Sequence, residues 1–292
     1  MIRPFRLEEP KTVREAAGLL RRHGDGARVY AGGTELLLAM KERLVRCDRL
    51  INIKKISALD RLELEDGTLR IGALATHRRL EESRVLAQCL PAFVAMERAV
   101  ANVRVRGVGT LGGNLCFAEP HSDPGTLLLV LAATLVAEGQ DGRREIPVEN
   151  FFLGPFETAL GGDEILTEIK IPVPPPGSSA AYIKFGYLER PSVGVALFLA
   201  LDDAAEGITS ARVAVGSAGP QPKRVFEAEA LLQGVGVTEA GRRIDQAGEA
   251  AARAAEAVSD IHGAADYKEH LIRVLLKRAL ARVIEDCQKQ TR

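Results

Sequence analysis

Apolar and polar positions divide the chain into short elements of changing period. Thr12-Val13-Arg14-Glu15 has the form of a capping box and predicts a helix through Arg22, which Gly24 and Gly26 stop. Residues 27–30 read as a brief strand, Gly32-Gly33 breaks it, residues 34–44 have helical spacing, and residues 50–53 are strand again. Residues 61–65 and 68–72 alternate on either side of Asp66-Gly67, a hairpin dipeptide. Helices are predicted over 76–80, 81–89 and 91–103, the last with Phe93, Met96, Val100 and Val103 on one stripe. Asp123-Pro124 opens another helix with proline at its first position, and residues 134–138 and 165–171 are strands.

The stretch 172–179 (PVPPPGSS) reads as a connector, because proline fixes φ and donates no backbone hydrogen bond. Three strands follow, at 181–187, 193–201 and 211–218, then helices at 239–258 and 267–286. In the last helix Leu271, Val274, Leu275, Ala279, Val283 and Ile284 form an apolar stripe that must pack on something, and docking of another subunit is compatible with it. Three units are expected, 1–57, 58–176 and 177–292. The fold class is α+β.

Composition changes this picture little but closes several doors. The 292 residues carry 39 basic and 39 acidic side chains, so no bulk field favours nucleic acid or an anionic membrane. The start, MIRPFRLEEP, lacks an apolar core of the secretory type, and the longest apolar run, 126–137, is too short to cross a bilayer. A cytoplasmic protein without a transmembrane segment is expected. Cys47, Cys89, Cys116 and Cys287 are scattered, which fits four separate thiols and not a disulfide framework or a metal site. His121, with Cys116 and Glu119 nearby, lacks a second liganding pair; His77 has no visible base partner.

Two glycine segments carry the candidate chemistry. Arg106–Asn114 (RGVGTLGGN) contains a literal G-x-G-x-x-G, but helical spacing precedes it, and Glu119-Pro120 follows too soon for a helix. The strand–turn–helix context of a dinucleotide fingerprint is therefore missing, and no Gly-Lys-Ser/Thr exists for a Walker loop. What remains is a glycine loop whose N–H groups can converge on an anion. Ala31-Gly32-Gly33-Thr34 offers the same chemistry at a strand-to-helix turn, where the helix dipole would assist. Two such loops could grip a diphosphate; both could equally be plain tight turns.

The ordered set Ala31-Gly32-Gly33-Thr34-Glu35-Leu36, Arg106 to Asn114 (R-x-x-G-T-L-G-G-N), Ser122-Asp123, Asp163-Glu164-Ile165-Leu166 and Asp260 to Tyr267 resembles the FAD-binding medium subunit of the molybdenum hydroxylases, relatives of carbon monoxide dehydrogenase, nicotinate dehydrogenase, 2-furoyl-CoA dehydrogenase and xanthine dehydrogenase. The likeness runs in order through nearly the whole chain. It implies a two-part PCMH-type FAD-binding region followed by a C-terminal domain of antiparallel sheet plus helices. It implies FAD lying between the two N-terminal parts. Ala31, Gly32, Gly33, Thr34 and Glu35 would hold the pyrophosphate from one side, and Thr110, Leu111, Gly112, Gly113 and Asn114 from the other. Asp123 would bind a polar group of the ribose or ribityl region, although an N-cap for the helix at Pro124 is an equally good role. Ile165 and Leu166 would pack near the adenine or ring system, or simply form strand core. Lys184 matches a family lysine near the flavin.

Departures from the family pattern are also visible. Val193 stands where some relatives place a tyrosine against the isoalloxazine, and Val100 where some carry an aromatic. The cysteine-rich insertion of relatives that reduce aromatic CoA thioesters is missing. The resemblance implies substrate hydroxylation at a molybdenum cofactor in a large subunit and transfer through [2Fe-2S] clusters of a small subunit. FAD in this chain would then pass electrons to NAD, a quinone or oxygen, within a dimer of heterotrimers. No residue here is expected to be catalytic. The rivals are a self-contained FAD oxidoreductase, for which no substrate pocket is signalled, and an assembly module that has lost its flavin, against which the intact glycine loops argue.

Overall fold

The computed structural model describes residues 2–186 and 189–291; Tyr187, the expected end of one strand, lies outside them. The chain forms two compact units, each assembled from separated stretches. The first comprises Met1–Glu82, Asn102–Ala118 and Ala133–Ile171, and the second Ser83–Ala101, Glu119–Ala132 and Pro172–Arg292.

The first unit holds two main sheets. Strands β1 (Arg6–Glu8), β2 (Ala27–Tyr30) and β3 (Arg49–Asn52) form a parallel sheet in the order β1-β3-β2, with Arg6 and Ala27 both in register with Arg49. The helix Val13–His23 joins the first two. Thr12 caps it by accepting from the Glu15 N–H, and Gly24, at φ 48°, ends it. Its Ala16 and Leu20 join Ala27, Ile51, Ile53 and Ile165 in one buried cluster. Gly24 supplies the positive φ, and a single 3-10 turn over Gly24–Gly26 then leads into β2.

The second sheet uses β4 (Leu62–Glu65), β5 (Thr68–Gly72), β6 (Thr134–Gly139) and β7 (Gly142–Pro147). A small pair, β8 (Phe152–Gly154) and β9 (Glu157–Thr158), stands apart, and β10 (Ile165–Pro172) completes the sheet in the order β4-β5-β10-β6-β7. Asp66 and Gly67 take φ of 48° and 70°, the two positive values a tight hairpin turn needs, and β4 pairs antiparallel with β5. Across this sheet the buried Glu168 carboxylate receives Arg61, Arg70 and Arg143 at 2.6–2.8 Å. Burial pushes that carboxyl up, but the Arg70 hydrogen bonds and the three guanidinium charges outweigh it and hold it below the ordinary value.

The second unit is built on an antiparallel sheet of β11 (Ser178–Phe185), β12 (Val193–Leu201), β13 (Ile208–Gly216) and β14 (Lys223–Arg224). All nine residues of β12 are buried, so helices cover both faces. Val193, Val195, Leu197 and Leu199 face a core shared with the helices Val237–Ala254 and Ala265–Thr291. The helix Pro124–Val130 packs on the same sheet, so closely that a Cβ on Gly216 would lie 1.9 Å from the Thr126 hydroxyl.

Several expected boundaries move. The helix expected over 34–44 is Leu36–Lys41, ended where Arg43 turns to φ 65°. The helix expected over 91–103 stops at Ala99; Ala101 goes left-handed at φ 43°, and a separate helix, Val103–Val108, begins under an Asn102 cap. The proline connector is shorter than its composition suggests, because Pro172 closes β10 and Ser178 and Ser179 already belong to β11. The apolar stripe of the last helix is spent within its own unit: Leu271, Leu275, Ala279 and Val283 lie in the core.

Candidate functional site

The two glycine segments meet inside the first unit. β2 runs into Ala31-Gly32-Gly33-Thr34 and then the helix Leu36–Lys41. Gly33 stands at φ 78°, with the Tyr30 ring where its Cβ would be, 2.4 Å away. A Cβ on Gly32 would sit 2.4 Å from the Val108 carbonyl oxygen and 2.8 Å from the Gly109 Cα. The first turn therefore rests directly on the backbone of the second, and glycine is required at 32 by the protein's own packing.

The second segment is not a loop. Seven residues after Thr110 form the helix Leu111–Phe117, capped by the Thr110 hydroxyl accepting from the Gly113 N–H at 3.1 Å and ended by Ala118 at φ 49°. A helix of this length fits before Glu119-Pro120 because a left-handed residue closes it at once. The Leu111 N–H donates to the Ala75 carbonyl, Gly112 N–H to Ala73 and Asn114 N–H to Thr110, at 2.9–3.0 Å. A Cβ on Gly112 would lie 2.5 Å from that of Ala73. The N–H groups from 111 to 114 are thus committed to the fold. By contrast, among the described residues no hydrogen bond engages the N–H groups of Gly32, Gly33 and Thr34. Of the two segments, the first presents backbone donors, and the second supports it.

Glu35 occupies the N-cap position of the Leu36–Lys41 helix, without a side-chain cap bond. Ile165 and Leu166 are each 3 % exposed, and Ile165 belongs to the core cluster of the first unit. The partly buried Cys116 thiol hydrogen-bonds the Leu166 backbone, and loss of solvation pushes it up to about 12.

A second group of candidate residues lies in the second unit. Asp123 precedes the helix Pro124–Val130 but makes no side-chain cap bond. Its carboxylate is instead turned into the sheet side, where Tyr182 donates to Oδ1 at 2.8 Å and Lys184 approaches at 2.9 and 3.1 Å. Lys184 Nζ also donates to the Ala99 carbonyl at 2.7 Å. Burial raises the Asp123 carboxyl above its ordinary value; Lys184 and Tyr182 oppose this without cancelling it, and Glu97 adds to the rise. Burial, and then the Asp123 charge, push the Tyr182 phenol well above the usual range. The alternation of β11 places Tyr182 and Lys184 on one face, the only signal in the sequence that could have added Tyr182.

The segment 119–121 anchors a third group that sequence reasoning missed. His121 lies between Glu119 Oε1 at 3.2 Å and Asp260 Oδ2 at 3.0 Å. The fully buried Lys268 binds the same Asp260 oxygen at 2.7 Å, Arg190 binds Glu119 at 2.7 Å, and the His262 ring stacks 4.3 Å from that of His121. Burial first, then the charge of His121, hold the His262 imidazole below its ordinary value. Asp260 and His262 belong to the tail motif that carried the family resemblance.

Residues 3–174 match the model of the FAD binding domain in molybdopterin dehydrogenase, and residues 190–283 that of the CO dehydrogenase flavoprotein C-terminal domain. The nicotine 6-hydroxylase medium subunit of Paenarthrobacter nicotinovorans is 33% identical over 94% of this chain and 96% of its own length. The solved carbon monoxide dehydrogenase of Hydrogenophaga pseudoflava contains a chain that superposes with a TM-score of 0.93 at 32% identity, covering 97% of this chain and 98% of that one. Quinoline 2-oxidoreductase from Pseudomonas putida 86 gives 0.90 at 26% identity, over 98% and 99%. Motif order, fold and end-to-end similarity agree, and the chain belongs to the family of FAD-binding subunits of the molybdenum hydroxylases.

Proposed function

We propose that this chain holds FAD as the electron-transfer subunit of a molybdenum hydroxylase. It would take electrons from the [2Fe-2S] clusters of a small subunit and pass them to NAD, a quinone or oxygen, while a large subunit oxidises substrate at its molybdenum cofactor. The observation that carries this reading is the match of residues 3–174 and 190–283 to the two domain families, together with likeness to a medium subunit over 94% of the chain. A dimer of heterotrimers in the cytoplasm is the expected assembly, with 1–57 and 58–176 as the two FAD-binding parts and 177–292 as the C-terminal domain.

The residues fit the cofactor. Gly32, Gly33 and Thr34 offer N–H groups that no hydrogen bond engages among the described residues, which suits a diphosphate. Ala31 and Glu35 bound that turn. Thr110, Leu111, Gly112, Gly113 and Asn114 would act mainly by fixing the surface against which the turn is built. Ile165 and Leu166 would contribute apolar surface. In the second unit, Asp123 and Lys184 would supply a polar group and a cation. Bound FAD supplies exchange between one-electron donors and a two-electron acceptor. The chain's own residues bind, orient and set charge, and none is assigned to a covalent or proton-transfer step.

The test is to purify the chain alone and with its co-purifying partners, record visible absorbance, and identify any flavin released on denaturation. Stoichiometric FAD, with iron and molybdenum in the larger particle, is the expected result. A chain that stays colourless with added FAD, even when assembled, would defeat this reading in favour of a module that has lost its flavin.

A further inference from the structure

Within the second unit, the Asp123–Lys184 pair has an unusual amount of structure devoted to its geometry. The carboxylate is 5% exposed and the lysine side chain 20% exposed, so the acid faces inward and the ammonium is the more open member. Nζ has two acceptor groups, the Asp123 carboxylate and the Ala99 carbonyl, and an ammonium carries three N–H bonds. One donor can therefore serve a ligand while the other two fix the nitrogen in place. The acid is held in turn by Tyr182. That hydroxyl reaches Asp123 because β12 carries glycine at 194: a Cβ there would stand 2.4 Å from the Tyr182 oxygen. A glycine inside an otherwise fully buried nine-residue strand weakens the strand, and the space it leaves is filled by this hydroxyl.

We propose that Tyr182 is a positioning residue: its hydroxyl, seated over Gly194, fixes the Asp123 carboxylate so that Lys184 is presented as an immobile cation with one N–H left for the cofactor. This rests on the reading that Lys184 faces the flavin. Tyr182 touches no ligand itself; it acts through Asp123. Its hydrogen bond also favours the charged form of a carboxylate that burial works against. The charged or titratable groups facing Asp123 are Lys184 and Tyr182 from β11 and Glu97 from the helix Pro91–Ala99. From β13, Arg212 reaches the far end of the Pro124–Val130 helix, at the Val130 carbonyl. Removing the phenol hydroxyl should therefore let Asp123 take a proton at higher pH, and Lys184 would lose its anchor there.

The experiment measures FAD affinity of the full chain by flavin fluorescence between pH 5 and pH 9 in the native sequence, Tyr182→Phe and Lys184→Met. Lys184→Met should weaken binding about tenfold throughout. Tyr182→Phe should weaken it about five- to tenfold, and the acid-side loss of affinity should begin at higher pH than in the native chain. Apo unfolding midpoints of both variants serve as the fold control. If Lys184→Met weakens binding while Tyr182→Phe changes neither affinity nor the pH at which it falls, the positioning role is wrong and the lysine assignment stands. If Lys184→Met binds FAD as the native chain does, the lysine does not face the cofactor, and both ideas fall together.

Discussion

Replacing glycines one at a time in the flavin-free chain separates two reasons for their presence, close packing and ligand approach. In Gly32→Ala the new methyl would lie 2.4 Å from the Val108 oxygen, about 1 Å inside ordinary contact. Val108 cannot retreat freely, because the adjoining Gly109 donates to the Val105 carbonyl at 2.7 Å and accepts from the His77 N–H at 3.1 Å. In Gly112→Ala the methyl meets Ala73 at 2.5 Å while the same backbone is bonded to the Ala73 carbonyl. Overpacking against anchored backbone costs about 1–3 kcal/mol per site. Gly107 is the internal control: it sits in the helix Val103–Val108 with no heavy atom within 4 Å of a Cβ. Gly107→Ala should gain roughly 0.5–1 kcal/mol from helix propensity. The assay is urea unfolding of the apo chain followed by far-ultraviolet circular dichroism. If Gly32→Ala and Gly112→Ala unfold like the native chain without flavin and lose only flavin affinity, the packing argument is refuted and the glycines serve the ligand alone.

Other perturbations test the ion networks and thiols. Glu168→Gln removes the negative charge shared by Arg61, Arg70 and Arg143 and replaces one acceptor oxygen with an NH2 donor; those side chains are 25–46% exposed and can hydrate, so the loss should be about 3 kcal/mol, the low end for a broken buried pair. Because the native Glu168 carboxyl is held low, its contribution is present above the ordinary carboxylate value near 4.3 and fades as pH falls through the folded value; the variant should lack this slope in unfolding midpoints below about pH 5. His262 titrates in the opposite chemical sense but with the same dependence: a depressed imidazole stabilises above about 6.5 and loses this as pH falls, so His262→Gln should flatten the midpoint between pH 7 and 5. Burial lifts the Cys116 thiol to about 12 and the Cys287 thiol to about 11, so both should resist a disulfide reagent at pH 8 until urea is added. Rapid labelling of either in the native chain would contradict their placement.

Much of the fold was legible because it depends on local signals. The Asp66-Gly67 hairpin, the Thr12 cap, and the limits of Ala27–Tyr30 and Val193–Leu201 are written in turn chemistry and in a period of two. Boundaries failed where a non-glycine residue turns left-handed: Arg43, Ala101 and Ala118 carry no compositional mark for that conformation. The helix at Leu111–Phe117 was missed for this reason. Among the candidate site residues, the family resemblance singles out the glycine turns, Asp123 and Lys184, but not the bond between Asp123 and Lys184, since 61 residues separate them. The Glu119–His121–Asp260–Lys268 chain spans still longer separations, and only folding shows that one carboxylate oxygen serves both a histidine and a buried lysine.

The same geometry separates two uses of glycine that the sequence motifs leave open. A glycine that admits a phosphate and a glycine that admits another backbone look identical in a motif. In the first unit they divide: Gly112 is consumed by Ala73, and the N–H groups around it are spent within the protein. At Gly32 the missing side chain lets the turn sit on Val108, and among the described residues its N–H remains unengaged, the combination the proposed phosphate site needs. A tight interlock of two segments is what makes such donors useful, because a turn that cannot shift presents its N–H groups at no further cost in ordering when an anion arrives. The helix capped by Thr110 ties the adjoining Val108-Gly109 backbone to Ala73 and Ala75, so substitutions at Thr110–Asn114 should lower FAD affinity through the stability and placement of the Gly-Gly-Thr turn, with both effects scaling together across a series of variants.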